Sequence, residues 1–382
     1  MILFIKLFSL ILIAYCVGMR FAKDTEQKLR VYYWITMVAF VFYMAFRNPI
    51  FVDHQNYINL YDKVYNYVQR EGFFVIFTPS FSDSVSEVGF ALLNLFVRFI
   101  FNDVIYVFIF SALLIVLPLW RFFKRSPYFL FAVYLYLVIG TYFEGFNIMR
   151  QMIASSLALG GYPYIRQRNF WKYCLWVLLA SSFHTTALAM IPAYFLLCPL
   201  PKENLSHIRI RRLVILGMGL IAALLIGPAV RLIVDLVYGG NYGYVDGITP
   251  LKWTNIVIPT GCFVFCELLL HLWPKYKERK HPIQETFNIN STDYIILESG
   301  TLCWYAVQLC RMQVPLMTRF ACFFNPYLLL LITLSIYNCA DKRLRRYAAL
   351  AIFAGLFLMM LWSFRSNPLN DYQTIFFDLF AK

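Results

Sequence analysis

Residues 141–185, TYFEGFNIMRQMIASSLALGGYPYIRQRNFWKYCLWVLLASSFHT, decide how the chain is read. Two apolar stretches flank the basic turn Ile165-Arg-Gln-Arg-Asn-Phe-Trp-Lys172, and each reads as a membrane crossing. Arg150 and Gln151 stand where the first crossing begins, and His184 stands where the second ends. A down-and-up path through a bilayer therefore returns His184 to the face that holds Arg150. Ionisable groups at the edge of a hydrocarbon core are costly unless they are paired or at work. The segment 141–185 is thus the core helix pair and the first place to look for a site.

The rest of the chain has the same character. Its 382 residues are 61% hydrophobic and 19% aromatic, with a mean hydropathy of +0.63. Apolar runs of about 17 to 25 residues recur along it, each able to span ~30 Å of hydrocarbon. This composition excludes a soluble globule and leaves no stretch for a large soluble domain. The chain reads as one all-α polytopic domain, 1–382, with about twelve transmembrane helices.

A net charge of +14 invites nucleic acid as a partner. The basic residues, however, lie in short clusters between apolar runs, as positive-inside topology demands. Membrane lipids are the expected surroundings, and no nucleic acid is expected. The nine cysteines lie in or beside apolar runs, where they behave as small hydrophobes. Cys262 and Cys266 share a helix face, but no histidine or third cysteine joins them to hold zinc. The apolar run 1–19 carries no small-x-small cleavage pattern before Arg20 and reads as a retained first helix.

The clusters orient the chain. Arg20, Lys23, Lys28 and Arg30 belong to the cytoplasm. The run 31–46 then crosses outward, so 47–102 becomes an outer loop plus an amphipathic helix, 87–101, lying on the outer interface. Reading that helix as a crossing would put the basic cluster Arg121-Phe-Phe-Lys-Arg125 on the wrong side. Crossings follow at 103–120, 128–143, 147–164, 171–183, 185–197, 213–230, 255–273, 294–310, 320–337 and 350–364. An outer loop at 238–252 and basic cytoplasmic stretches at 202–212, 275–280 and 341–346 separate the later ones, and both termini fall outside.

On this map the ionisable residues outside the basic clusters mostly gather on one face, with Arg47, Asp53, Glu87, Glu144, Arg150, His184, Arg311 and Arg319 there. Several arginines on one face suit a polyanion, because planar guanidinium forks match phosphate oxygens. Carboxylates and a histidine beside them can handle protons. Each residue also has a plainer reading. Arg47 follows an apolar run, where a snorkelling anchor would sit. Glu87 precedes a helix, where an acid is favourable. His184 in SSFHTT also suits an interhelical hydrogen bond, and Arg311 ends its helix as an anchor would. No Walker loop, GxGxxG, HExxH or GxSxG motif is present. No cofactor and no metal is expected.

Taken together, Arg47…Asp53-x-x-x-Tyr57, Glu87-x-Gly89, Arg150-Gln151 opening a helix, Leu-Ala-x-x-Phe-His184 and Arg319-Phe320 form a recognisable order. It resembles the EpsG-like branch of the Wzy polysaccharide polymerases, most closely between Arg47 and Pro192. Phe51-Val52 stand where family members often carry a glycine before the aspartate. The resemblance implies a metal-independent glycosyltransferase of GT-C-like fold in a bacterial inner membrane, with its active site facing the periplasm. It implies two polyprenyl-diphosphate-linked oligosaccharides as substrates, the growing glycan passing to the non-reducing end of the next repeat unit. A chain-length regulator and a flippase are then the candidate protein partners.

In that chemistry arginines stabilise the diphosphate leaving group. Arg150, at a helix N-terminus, is the first candidate for that contact, with Arg47 and Arg319 beside it and Gln151 and Tyr57 as further substrate contacts. Tyr57, Tyr61 and Tyr65 offer faces on which sugars stack, or an interfacial belt. The acceptor hydroxyl needs a base within hydrogen-bond reach. His184, with an ordinary pKa near 6.5, is the first choice, Asp53 the alternative and Glu87 the third. An O-antigen-type ligase or another GT-C transferase is the competing enzyme. A lipid-linked glycan flippase is the competing non-enzyme, and it should carry polar residues deep along a path to both faces.

Overall fold

The structure, a computed structural model, describes residues 2–47, 53–200, 205–238, 260–261, 264, 291–311, 314, 317–338 and 342–363. The expectations for Phe51-Val52, for the outer loop at 239–252, for most of the crossing at 255–273, for the basic stretch 275–280 and for the C-terminal tail lie outside the described residues.

Among the described residues every regular element is a helix. The first half holds α1 (Ile2–Phe21), α2 (Thr25–Ala45), α3 (His54–Glu71), α4 (Pro79–Ser84), α5 (Val88–Ile100), α6 (Ile105–Phe123), α7 (Phe129–Val138) and α8 (Thr141–Asn147). There follow α9 (Met149–Ala158), α10 (Tyr162–Arg166), α11 (Phe170–Ser181), α12 (Met190–Leu197), α13 (Leu205–Tyr238), α14 (Ser291–Arg311), α15 (Thr318–Asn338) and α16 (Lys342–Ser363). The chain divides into two compact units, 1–161 with 172–188 and 348–382, and 162–171 with 189–347.

Four described stretches are long and apolar enough to cross a membrane: Leu3–Phe21, Ile105–Phe123, His207–Val230 and Thr318–Tyr337. The pair α7–α8, bent by 55°, counts as a fifth where the two are one broken span rather than a re-entrant loop. The expected count of about twelve rested on apolar composition, which does not register breaks in a helix. The crossings read at 147–164, 171–183 and 185–197 are all interrupted or short. The first divides into α9, a 3-10 turn and α10, the second is the 12-residue α11, and the third opens as a 3-10 turn before α12. Between α7 and α8 the bend sits at Gly140, whose φ of +88° suits a residue without Cβ.

In the first unit α2 starts on a capping box. The Asp24 carboxylate accepts from the Gln27 amide at 2.7 Å, and the Gln27 side chain reaches back to the Lys23 amide at 3.0 Å. The helix then buries an aromatic core against α6 and α8. Trp120 Nε1 donates to Thr36 Oγ1 at 2.9 Å, and Tyr142 Oη donates to the Phe40 carbonyl at 2.8 Å. The Phe40 ring lies 5.0 Å from that of Trp120 and 4.8 Å from that of Tyr142. The polar atoms of Trp120 and Tyr142 are thus buried with partners. On the other side, Phe8 of α1 meets Tyr134 and Phe353, each at 5.9 Å, so α1 is packed into the unit.

The segment after Arg47 forms a small layer of its own. In α3 the spacing His54, Tyr57, Tyr61, Val64, Val68 puts one stripe inward, while Asp62, Lys63, Asn66 and Arg70 face out. Val64 and Val68 meet Ile76, Phe81, Ala91 and Leu95 in a local core that joins α3 to α4 and α5. The 13 residues of α5 rise about 20 Å, short of the ~30 Å needed to span a bilayer.

In the second unit α14 packs between α13 and α15, and it carries buried acids. Tyr162 Oη donates to Asp293 at 2.8 Å, Arg166 lies 3.6 Å from the same carboxylate, and Arg212 pairs with Glu298. Asp293 and Glu298 were not among the ionisable residues singled out in the sequence, and both pair with arginines of basic clusters, Arg166 and Arg212. Hydropathy averaging over a long apolar run hides two acids whose partners lie in other helices.

Candidate active site

The first unit brings most of the expected site residues together around the break between α8 and α9. A helix C-terminus leaves carbonyls without intrahelical partners, and two side chains, one just after α2 and one on α3, take them up. Arg47, only 1% exposed, donates from Nη1 to the carbonyls of Gly145 at 3.2 Å and Phe146 at 2.8 Å. Its guanidinium carbon also stands 4.7 Å from the Phe108 ring centre and 5.6 Å from that of Phe146. Tyr57 Oη donates to the Asn147 carbonyl at 2.9 Å. A cation and a hydroxyl thus hold the end of α8, where the macrodipole favours positive charge.

The chain restarts at Met149, which puts Arg150 in the first turn of α9 and Gln151, buried, just behind it. Arg150 Nη1 lies 2.5 Å from Glu87 Oε2, a charge-assisted pair between α9 and the residue that precedes α5. Glu87 makes no capping bond to its own helix. Its carboxylate faces Arg150 instead, with 30% of the Arg150 side chain and 13% of the Glu87 side chain exposed.

His184 reaches the same neighbourhood through glycine. The Gly89 amide donates to the Ser182 carbonyl at 2.7 Å. A Cβ on Gly89 would meet Ser182 Oγ and, at 2.8 Å, the Ser182 carbonyl oxygen. Only glycine lets the turn after α11 close on the start of α5, which accounts for Glu87-x-Gly89 and Phe-His184 occurring together. His184 Nδ1 accepts from the Thr186 amide at 3.3 Å and lies 2.9 Å from Thr186 Oγ1.

Asp53 stands just before α3, and its carboxylate accepts from Asn56 at 3.2 Å. Burial pushes the Tyr57 phenol up, Arg150 and Arg47 pull it back, and Asp53 adds to the rise. All three charges are therefore within electrostatic range of one hydroxyl.

His54, which the sequence reading passed over, is part of the same cluster. It is buried and stacked on Phe108, with centroids 4.8 Å apart and planes within 10°. Desolvation, then the nearby Arg47 charge, lowers its pKa to about 4, so the ring is neutral. Its Nδ1 has no hydrogen-bond partner among the described residues. The signal available was its place in the inward stripe His54-Tyr57-Tyr61.

Other candidates sit elsewhere. Tyr61 is buried and Tyr65 is half-buried, and Arg98 stacks over both at 5.0 and 4.7 Å while pairing with Asp62 at 3.3 Å. Their faces are turned to protein. Arg319 opens α15 in the second unit, and Arg311 ends α14 there, 3.3 Å from Gln308. Among the described residues no three of His, Cys, Asp and Glu converge as a metal-ligand set.

A model of the EpsG family matches residues 30–375 of this chain. The chain belongs to the EpsG family, as the order of motifs from Arg47 to Arg319 anticipated. Membership and the apolar helices make it a membrane protein with a polysaccharide-polymerase kind of role. No curated protein matches it, and no solved structure does.

Proposed function

We propose that this EpsG-family chain is a polymerase that transfers a growing glycan from a polyprenyl-diphosphate carrier onto a lipid-linked repeat unit at the outer face of the membrane. The observation that carries this reading is the Arg150–Glu87 pair, partly open to solvent at the first turn of α9.

The acceptor hydroxyl oxygen attacks the anomeric carbon of the donor sugar. The carbon–oxygen bond to the diphosphate breaks, and the diphosphate leaves on its lipid with the bonding electrons. Arg150, with the α9 amides around it, meets the charge that grows on the departing phosphate. In the resting protein Glu87 holds that guanidinium. An arriving diphosphate competes for it, and the carboxylate it displaces becomes a better proton acceptor. We therefore favour Glu87 as the base that takes the hydroxyl proton, ahead of His184 and Asp53. His184, brought to the same neighbourhood by Gly89, is suited to contact a sugar oxygen, and Gln151 supports the Arg150 turn. Arg47 and Tyr57 act by position, since they hold the α8 terminus from which α9 restarts.

One observation favours a second reading. The buried acids Asp293 and Glu298 with Arg166 and Arg212 are the kind of intramembrane charge that a transporter uses. Glycan profiling of a deletion strain separates the readings. Single repeat units retained on the carrier at the outer face support the polymerase. Repeat units trapped at the cytoplasmic face make the chain a flippase, and full polymer missing only from its final acceptor makes it a ligase.

A further inference from the structure

The connection between α3 and α4 presents aromatic rings outward. The 3-10 turn Phe73–Phe77 follows Gly72, and within it Phe73 is 46%, Phe74 80% and Phe77 55% exposed. The three pack edge to face, with centroids 5.8 Å apart for Phe73–Phe74 and 6.1 Å for Phe73–Phe77. Ile76 of this turn is buried in the local core and Val75 packs against it, which leaves the three phenylalanines outward. A phenylalanine carries on the order of 200 Å² of surface, and soluble surfaces rarely gather more than a few hundred Å² of contiguous apolar area without a partner.

The turn packs beside α5, which is apolar on two sides. One side meets α3 through Ala91 and Leu95, Phe99 lies at its edge with its ring 6.3 Å from that of Tyr65, and Phe96 and Ile100 stay exposed. Phe96 touches Phe110 at 5.7 Å, and Phe101 stacks on Tyr106 at 4.2 Å. Those partners belong to Ile105–Phe123, a stretch long and apolar enough to span the membrane. An exposed apolar surface therefore runs from that span along α5 towards the Phe73–Phe77 turn. At the last turn of α3, just before Gly72, the exposed Arg70 supplies a cation next to these rings in the chain, the kind of group that anionic lipid headgroups attract.

We propose that the Phe73–Phe77 turn is inserted in the bilayer, its rings among lipid acyl chains, and that it anchors the α3–α5 layer flat on the membrane. This inference goes beyond the polymerase reading and rests only on the membrane location. Its failure would leave the proposed chemistry standing.

The test places an environment-sensitive fluorescent amino acid at position 74, where exposure leaves room for it, and at position 66 on the outward stripe of α3 as a control. The full chain is reconstituted in nanodiscs of defined phospholipid containing no polyprenyl lipid and no other membrane protein. Blue-shifted emission at position 74 that is quenched by acyl-chain-brominated lipid, with position 66 quenched only by aqueous iodide, is the expected result. Iodide quenching at position 74 overturns the proposal, because the turn then faces water. Insensitivity of position 74 to both quenchers also overturns it, because the rings are then covered by protein.

Discussion

Arg150 and Glu87 lie 63 residues apart in sequence and 2.5 Å apart in space, one in the first turn of α9 and the other just before α5. Neither residue is bound to its own helix end by this contact. The pair joins the outer layer to the helix that starts beneath it, and both partners keep some access to solvent. A fully buried structural ion pair would be closed off, whereas under the proposed function this one exchanges its partner for an anion.

Removing either member should affect turnover by different routes. Arg150→Ala loses leaving-group stabilisation and should lower turnover about 10²–10³-fold. Arg150→Lys should remain impaired, since a point charge replaces a fork. Glu87→Gln should cut turnover by about 10²–10⁴ while substrate binding holds. Separate measurement of binding and turnover in purified variants checks this. A Glu87→Gln protein with normal turnover, alongside an inactive Asp53→Asn or His184→Ala protein, would move the base to that residue.

Arg47 should behave as a structural residue. Arg47→Met keeps the volume but leaves the Gly145 and Phe146 carbonyls without their donor, at about 1–3 kcal/mol for each unsatisfied group. Thermal unfolding in detergent should shift down clearly for Arg47→Met and hardly at all for Arg150→Ala. Equal stability in the two variants would show that the α8 terminus does not depend on Arg47.

Gly89→Ala tests the approach of the His184 turn. The added methyl would meet the Ser182 carbonyl oxygen at 2.8 Å, where backbone must move. Overpacking of this kind costs about 1–3 kcal/mol. Activity should fall even though position 89 itself performs no chemistry, and Ser182→Ala, which removes only a side-chain oxygen, should not restore it. Full activity in Gly89→Ala would contradict the packing.

His54 gives the outer layer a pH dependence with a definite sign. The fold lowers its pKa from 6.5 to about 4, so the unfolded chain binds the extra proton first. Its contribution to stability is complete above about pH 6.5 and is lost as pH falls from there to about 4. His54→Gln removes that titration, so the drop in unfolding temperature between neutral and mildly acidic pH should be smaller than in the unchanged protein. An equal drop in both would show that His54 titrates normally.

Much of this arrangement was legible in the sequence, and the limits have physical causes. Apolar runs and basic clusters gave an all-helical membrane protein, and the motif order gave the family. The pairing of Arg150 with Glu87 was not legible, because it is a contact between segments 63 residues apart in the chain. Arg47 looked like a phosphate ligand from its place on one face. Its burial follows from the break at Ile148, which exposes carbonyls that only a folded α8 reveals. Asp293 and Glu298 were hidden within apolar averages, since their partners Arg166 and Arg212 come from other helices.

The central claim is polymerisation through the Arg150–Glu87 site, and the most direct measurement uses the purified chain in nanodiscs with polyprenyl-diphosphate-linked repeat units alone. The products are separated by size, and released polyprenyl diphosphate is quantified. The account predicts a ladder of glycans on lipid, one polyprenyl diphosphate released for each bond formed, and no ladder with Arg150→Ala. Repeat units that move across the bilayer with no bond formed, or a ladder that persists undiminished in Arg150→Ala, would contradict it.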